Sequence, residues 1–203
     1  RGTATGLQVG ALHHTFVAAR MWADAEALAK RFPAVELEEL PAHIDAGRET
    51  TGLQVWDFDP AAQTLRRRQF SHDGSLTLVV VSHPNCAFSR AALRALESDA
   101  SLAHGLPEQR IFVAPTFGGL QPDSIREWNA VHPDSRHVLV DRPLAWSFVK
   151  SWETPQFLFL VDGLLVEHVV GWPDDAQLDL LMSAAKRAAS KAERAREPAP
   201  TRR

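Results

Sequence analysis

The chain has 203 residues, of which 45% are hydrophobic and 23% are charged, and it carries a net charge of −3. This size and composition predict one globular domain with an extension and a sizeable core. The weakly acidic net charge argues against a nucleic-acid binder, and no apolar run approaches the roughly 20 residues of a membrane span. From Lys186 onward the chain holds seven Lys or Arg against two Glu. We interpret residues 190–203 as a disordered basic tail, with an anionic-surface contact as the alternative.

The first forty residues predict one helix and one short strand. Residues 1–10 show no clear period, so we expect an irregular lead-in. Between Ala11 and Phe32, apolar residues recur every three or four positions, which predicts an amphipathic helix that ends at Pro33. Val35–Leu40 alternates apolar residues with glutamates and predicts a short strand.

A β-hairpin is predicted next, with turn chemistry at Asp57–Gln63 and a returning strand at Thr64–Phe70. Three apolar residues are expected on one side of its first strand: Leu53, Val55 and Phe58. We interpret the arginines Arg66–Arg68 as charges that keep an edge strand soluble, with an anionic-ligand site as the alternative. Ser71–Gly74 predicts a turn. Residues 1–70 are therefore expected to form an N-terminal extension that packs on the main domain.

Strands and helices alternate over the rest of the chain. The apolar run Leu76–Val81 predicts a buried strand, and a helix pattern follows at Ala87–Ser98. The later predicted elements are a strand at Ile111–Ala114, a helix at Pro122–Val131, a strand at His137–Val140, a short helix at Leu144–Trp152, a hairpin of Gln156–Val161 and Leu164–Val170 turning at Asp162-Gly163, and a last helix with Leu178, Leu181, Met182 and Ala185 on one face. This order predicts an α/β fold with a central mixed sheet, because β-α-β units make parallel strands and the hairpin adds an antiparallel pair.

The only cysteine, Cys86, lies between the predicted buried strand and the helix that follows it. A sulfur at a helix N-terminus lies near the positive end of the helix dipole and near unpaired N–H groups. Both favour the thiolate and lower the thiol pKa from its usual value of about 8.5. The alternative is an inert buried thiol. His83 is either a solvated turn residue, a partner that stabilises the thiolate or transfers its proton, or half of a soft-metal site for copper or zinc in which His72 is a possible third ligand.

These features together resemble the thioredoxin fold. A strand leads to Cys-x-x-Ser at a helix start, and Thr154-Pro155 later opens a strand-turn-strand with a terminal helix. The resemblance covers about residues 71–189 and is closest to larger thioredoxin-like proteins of the bacterial envelope, which implies a periplasmic or other cell-envelope location. It implies a three-layer fold with a central mixed sheet, to which residues 1–70 add a helix and a hairpin. It also implies a cis Thr154-Pro155 bond beside the thiol, with Thr154 pairing to a substrate chain. Trp152 either walls that substrate groove or belongs to the core.

The chain departs from the family pattern at three positions. Ser89 replaces the second cysteine, Asn85 replaces the usual aromatic residue, and Val80 replaces a buried acid. Because a hydroxyl forms no disulfide, Cys86 is able to enter a mixed disulfide but not to release it by internal attack. We therefore expect a thiol protein, without a cofactor, that forms mixed disulfides with a protein or small thiol or disulfide client, as a monothiol oxidoreductase or a client binder. The alternatives are a non-catalytic thioredoxin-like binding module and a copper-handling protein that uses His83 and Cys86.

Overall fold

A computed structural model describes residues 4–44, 52–59, 64–70, 76–98, 100–115, 120–172, 174 and 176–196. Its strands are β1 (Ala42–Ile44), β2 (Gln54–Asp59), β3 (Thr64–Gln69), β4 (Thr77–Val81), β5 (Gln109–Ala114), β6 (His137–Val140), β7 (Gln156–Val161) and β8 (Leu164–Val170). Its α-helices are α1 (Gly6–Ala18), α2 (Trp22–Arg31), α3 (Ala87–Ser98), α4 (Ala100–Gly105), α5 (Pro122–Val131) and α6 (Ala176–Arg196). Over these described ranges, no helix combines the length and apolar character that a membrane crossing requires.

The described strands form one mixed sheet in the order β1-β3-β2-β6-β5-β4-β7-β8. The strand β4 is parallel to β5, and β5 is parallel to β6. On its other side, β4 is antiparallel to β7, and β7 is antiparallel to β8. The predicted α/β class with a central mixed sheet is confirmed. Since the carboxyl ends of parallel strands lie at one edge of a sheet, the segments that follow β4, β5 and β6 share one end of the molecule.

Among the described residues, the α-helices cover one face of this sheet. Side chains alternate between the two faces along a strand. Leu78 and Val80 of β4 pack with α3, α4 and α6. On β5, Phe112 joins that cluster, and Ala114, two residues later on the same face, packs with α1, α2 and α5. Both helix clusters therefore lie on the same side of the sheet.

The opposite face is covered by an irregular segment. Val79 and Val81 of β4 point to this side and pack with Trp146, Val149 and neighbouring residues. The predicted helix at Leu144–Trp152 is wrong, because only one 3-10 turn forms, at Pro143–Ala145. The apolar residues there fill the groove above the sheet without a helical repeat. On the side away from the helices, the outer layer is therefore a loop.

The N-terminal region differs from its prediction at the helix boundaries. The first helix, α1, begins at Gly6, inside the predicted irregular lead-in, because Thr5 and Gln8 form a reciprocal capping box. The predicted single helix from Ala11 to Phe32 is divided into α1 and α2 at Arg20, whose φ of 59° lies in the left-handed region. The Thr-x-x-Gln spacing was visible in the sequence, whereas the break at Arg20 has no local signal such as Gly or Pro.

The hairpin of β2 and β3 is confirmed, but its surroundings differ. No strand forms at Val35–Leu40; the strand in this region is β1, which pairs with β3. The strand β3 is therefore not at the sheet edge, and two of its three arginines have acidic partners, since Arg68 pairs with Asp57 and Arg67 Nη1 lies 3.7 Å from Asp141 Oδ2. The predicted shared face of Leu53, Val55 and Phe58 is wrong for Phe58, which packs on the helix side.

The later elements agree closely with prediction. The helices α3 and α5 and the strands β6, β7 and β8 have the predicted bounds, and α4 was not predicted. Asp162 and Gly163 both have positive φ, as a type I′ hairpin turn requires. The last helix, α6, continues to Arg196, so part of the segment expected to be disordered is helical. The predicted turn at Ser71–Gly74, which contains His72, lies outside the described residues, as do residues 197–203.

Residues 1–70 share the sheet with the rest of the chain. The strand β2 pairs antiparallel with β6 through Val55↔Val140 and Trp56↔Leu139. Asp141, which follows β6, accepts a hydrogen bond from Trp56 Nε1 at 2.7 Å. The predicted extension is thus continuous with the main sheet through backbone hydrogen bonds.

Truncation of Trp146 tests how much the irregular segment opposite the helices contributes to stability. Its side chain is fully buried and stacks on Phe70 with ring centroids 5.7 Å apart. We expect Trp146→Ala to lower the free energy of unfolding by about 3–5 kcal/mol, because truncation of a buried aromatic residue leaves a cavity. Urea denaturation measures this change. The matched control is Leu144→Ala, two residues away and 96% exposed, whose effect should stay within about 0.5 kcal/mol. Equal effects of the two variants would contradict the fold of this segment.

Candidate functional site

Cys86 occupies the N-cap position of α3. Its carbonyl oxygen accepts a hydrogen bond from Arg90 N–H at 3.0 Å, which is the first bond of the helix. Its own N–H donates to the His83 carbonyl oxygen at 3.0 Å and closes the turn after β4. The Arg90 side chain holds the same turn by donating to the Pro84 carbonyl oxygen at 2.9 Å. The thiol therefore lies in front of the unpaired N–H groups of the first helical turn, partly exposed to solvent.

The sheet brings Thr154 and Pro155 to the thiol. Because β4 and β7 are antiparallel, the end of β4 lies beside the start of β7, with Val81 opposite Gln156. The Thr154-Pro155 peptide bond is cis, as predicted. Cys86 Sγ donates to the Thr154 carbonyl oxygen at 3.6 Å. A residue 68 positions away in the chain is thus a direct neighbour of the sulfur.

Two sets of contacts act on the Cys86 thiol in opposite directions. Burial is the largest effect and raises its pKa. Hydrogen bonds from the Thr154 side chain, from the N–H and hydroxyl of Ser89 and from the Phe88 N–H lower it, and the net pKa is below the ordinary value. The Thr154 carbonyl oxygen favours the thiol, since only a protonated sulfur is able to donate to it. The opposing contacts therefore leave the Cys86 pKa below its ordinary value, which increases the thiolate fraction at a given pH.

Ser89 lies beneath the sulfur and is fully buried. Its hydroxyl oxygen accepts a hydrogen bond from the His83 N–H at 3.3 Å, while the hydroxyl donates towards the sulfur. The serine thus connects the turn before Cys86 with the helix after it. In this position it stabilises the thiolate by a hydrogen bond but is unable to form a disulfide with it.

His83 is held as a neutral imidazole. Its Nδ1 accepts a hydrogen bond from the Asn85 N–H at 3.1 Å, so that nitrogen carries no proton. Burial also lowers the pKa of His83. The interactions that lower the Cys86 pKa come from Thr154, Ser89 and Phe88. His83 is not among them, which favours a proton-transfer or structural role for His83 over an ion pair with the Cys86 thiolate. Within the part of the chain that the structure describes, no group of three or more His, Cys, Asp or Glu side chains is arranged to hold a metal ion.

Trp152 and Phe88 flank the site in different ways. Trp152 is half-buried and packs edge to face against Trp146, with ring centroids 6.4 Å apart, so part of its ring belongs to the core. Phe88, in the first turn of α3, is 58% exposed. The predicted site residues did not include Phe88, although an apolar residue two positions after Cys86 was a visible signal.

A buried Ser–His pair also went unpredicted. Val80 is buried where the resemblance expects an acid, and on the same face of the sheet β6 carries His137. Ser82 Oγ and His137 Nε2 are 2.7 Å apart, and Asn129 bonds both the N–H and the carbonyl oxygen of His137. Burial, and to a lesser degree the neighbouring His83, lower the pKa of His137 to about 3. Ser82 and His137 are 55 residues apart, so only the β4-β5-β6 register brings them together.

No protein family matches the chain, and comparison with curated proteins finds no significant match either. The chemistry of the candidate site is therefore inferred from its own geometry.

Ser89→Ala tests the hydrogen bond beneath the sulfur. Loss of this donor should raise the Cys86 pKa and slow alkylation at pH 7 by about three- to tenfold, since a pKa unit changes the thiolate fraction about tenfold. Iodoacetamide rates from pH 5 to 10 measure the effect, and the rates at pH 10 should be equal. The control is Ser98→Ala, at the exposed end of α3. A uniform decrease at every pH would contradict this role, because it would indicate reduced access to the sulfur.

His137→Gln tests the buried imidazole. A folded pKa near 3 lies below that of an unfolded histidine, so the unfolded chain binds the extra proton as the pH falls, and stability decreases between about pH 6.5 and 3. Removal of His137 should make this decrease shallower by up to about 1.4 kcal/mol per pH unit between pH 4 and 6. Urea denaturation at several pH values gives the slope. His104→Gln, exposed on α4, is the control, and equal slopes in wild type and His137→Gln would overturn the assignment.

Proposed function

We propose that this protein is a thioredoxin-like thiol protein that forms mixed disulfides through Cys86. The observation that carries the proposal is the position of the sulfur. It caps α3 and contacts the backbone of Thr154, directly before Pro155, at 3.6 Å. Thiolates, and not thiols, attack disulfides, and the net downward shift of the Cys86 pKa supplies the reactive form.

The proposed reaction is a thiol–disulfide exchange. The Cys86 thiolate attacks one sulfur of a client disulfide, forms a new S–S bond to it and releases the other client sulfur as a thiolate. A lone pair of the Cys86 thiolate forms the new bond, and the electron pair of the broken S–S bond leaves with the released sulfur, so Cys86 is oxidised, the released sulfur is reduced by the same amount and the attacked sulfur keeps its oxidation state. Since the chain has no second cysteine, a further thiolate, from the client or from a small thiol such as glutathione, attacks the mixed disulfide and regenerates Cys86.

The element order supports a thioredoxin-like fold for the later part of the chain. The unit from β4 to β6 supplies parallel strands, and β7, β8 and α6 supply the antiparallel hairpin and terminal helix that the resemblance implies. In this proposal residues 1–70 add β1, β2 and β3 to that sheet beside β6. A cell-envelope location follows from the resemblance alone and is proposed on that basis.

We propose that a client chain lies along Thr154, between exposed Phe88 and the rim of Trp152. The carbonyl oxygen of Pro155 is already paired with the Gly171 N–H at 2.8 Å, so the backbone of Thr154 is the nearer contact for an incoming strand. Phe88 is two residues after Cys86 and Trp152 two residues before Thr154, so each offers apolar surface close in sequence to one of the two contacting residues. Backbone hydrogen bonds supplemented by such side-chain contacts are how an extended peptide is bound.

The second candidate is a binding module that holds its client without exchange. The observation that favours it is the bond from the Cys86 thiol to the Thr154 carbonyl oxygen, which satisfies the protonated sulfur. A copper-handling role for His83 and Cys86 is a weaker proposal, because His83 Nδ1 is already bonded to the Asn85 N–H.

Covalent capture distinguishes the first two candidates. Wild-type protein incubated with disulfide-containing clients should form complexes that resist denaturant and dissociate with dithiothreitol. We expect no such complexes with Cys86→Ser. With Ser89→Cys we expect at least several-fold fewer, because a second thiol at that position attacks the mixed disulfide from within.

Non-covalent complexes that persist in Cys86→Ser at wild-type yield would favour the binding module. Equal covalent yields in wild type and Ser89→Cys would contradict the view that the serine is what prevents release.

A further inference from the structure

A series of hydrogen bonds connects the N-terminal extension with the turn that carries the thiol. Asn85, the residue before Cys86, donates from Nδ2 to Gln121 Oε1 at 2.6 Å. The backbone N–H of Gln121 donates to Glu38 Oε1 at 2.8 Å. Glu38 belongs to the irregular stretch between α2 and β1, so hydrogen bonds connect this stretch and the start of α5 with the turn before Cys86.

At one end of this series of hydrogen bonds, the Glu38 carboxylate anchors the N-terminus of α5. Its two oxygens accept the N–H groups of Leu120 and Gln121 at 3.2 and 2.8 Å. Gln121 is the N-cap residue, with a left-handed φ of 46°, and its own side chain does not cap the helix. A carboxylate is favourable at this position because it accepts orphan N–H groups and complements the helix dipole. Glu38 thus accepts the N-cap N–H, as the N3 side chain does in a capping box, and also holds the residue before it.

At the other end, Asn85 is held by both its backbone and its side chain. Its N–H donates to His83 Nδ1 at 3.1 Å, and its amide group binds Gln121. The direction of the Cys86 Sγ relative to the donors of Phe88 and Ser89 depends on how this turn enters α3. Hydrogen bonds to a thiolate weaken steeply when donor and acceptor lose alignment. A restraint on Asn85 is therefore a restraint on the sulfur.

We propose that Glu38 is a positioning residue for the thiol: it holds the start of α5, which through Gln121 and Asn85 keeps Cys86 aligned with the donors of α3. The chemical meaning of this role rests on the proposed function. The extension is in this view part of the thiol site, although Glu38 does not touch the reacting sulfur.

A through-space effect of the Glu38 charge predicts the opposite result. Burial lowers the pKa of His13 and of Arg20, and the negative charge of Glu38 partly opposes that shift in both residues. The same negative charge acting on Cys86 would disfavour the thiolate, so its removal would lower the thiol pKa. Positioning predicts that removal raises it. The sign of the change therefore separates the two effects.

Alkylation rates from pH 5 to 10 in the full-length chain test the proposal. Glu38→Gln replaces one of the two carboxylate oxygens by an amide NH2 group, which is unable to accept a hydrogen bond. Gln121→Asn retains a residue that tolerates the left-handed backbone but shortens the side chain by one methylene. Both should slow alkylation at pH 7 by about threefold or more, with wild-type rates at pH 10. Glu39→Gln, an exposed neighbour, should leave the profile unchanged. An unchanged or faster rate at pH 7 in Glu38→Gln would overturn the proposal.

Hydrogen exchange provides a second measurement that does not require a reactive thiol. The backbone N–H groups of Asn85 and Cys86 should exchange at least tenfold faster in Glu38→Gln and Gln121→Asn than in wild type, with the midpoint of urea unfolding measured for each variant. Unchanged exchange at these two positions would overturn the positioning role, whatever the reactivity of Cys86. Faster exchange combined with an ordinary thiol pKa in wild type would instead uphold the positioning role and contradict the proposed function.

Discussion

The antiparallel pairing of β4 with β7 is the interaction on which the candidate site depends. It places Val81 opposite Gln156, so the segment after β4 and the segment before β7 must lie side by side. Cys86 follows the first strand and Thr154 precedes the second, and the contact between them is a consequence of this register. A shift of one residue would turn every side chain of β4 to the other face and separate the sulfur from Thr154. The fully buried strands make that shift costly, since both faces of β4 are packed.

The chemistry of the sulfur results from opposing effects on the Cys86 pKa. Burial and the Thr154 carbonyl oxygen favour the thiol, whereas the N–H groups of α3 and the Ser89 hydroxyl favour the thiolate. These donors are short-range, so their effect depends on alignment. The polar contacts around the site, from Arg90 to Pro84 and from Asn85 to Gln121, act on that alignment and not on the net charge. Alignment through hydrogen bonds, and not a charged partner of the sulfur, therefore tunes the Cys86 thiol.

The two faces of the sheet are covered by different means. Helices pack on one face, and an irregular segment centred on Trp146 closes the other. The N-terminal residues contribute to the sheet and to its helices, because β2 continues the sheet beside β6 and Glu38 accepts hydrogen bonds at the start of α5. A boundary near residue 70 therefore does not divide the fold into a structural and a functional part. The region that extends the sheet through β2 also supplies, from the irregular stretch before β1, the carboxylate that holds the start of α5.

Local pattern determined much of this protein. The apolar run of β4, the periodicity of α3 and α5, and the Asp162-Gly163 turn predicted their elements with nearly correct bounds, because these signals depend on neighbouring residues alone. The position of Cys86 at a helix start was also predictable. The break at Arg20, the loop around Trp146 and the partners of Arg67 and Arg68 were not, since packing against distant strands decides them. The contacts around the thiol turn were likewise decided by the tertiary structure: Thr154, Gln121 and Glu38 are 68, 35 and 48 positions from Cys86, and only the fold places Thr154 against the sulfur and connects Gln121 and Glu38 to Asn85 through hydrogen bonds.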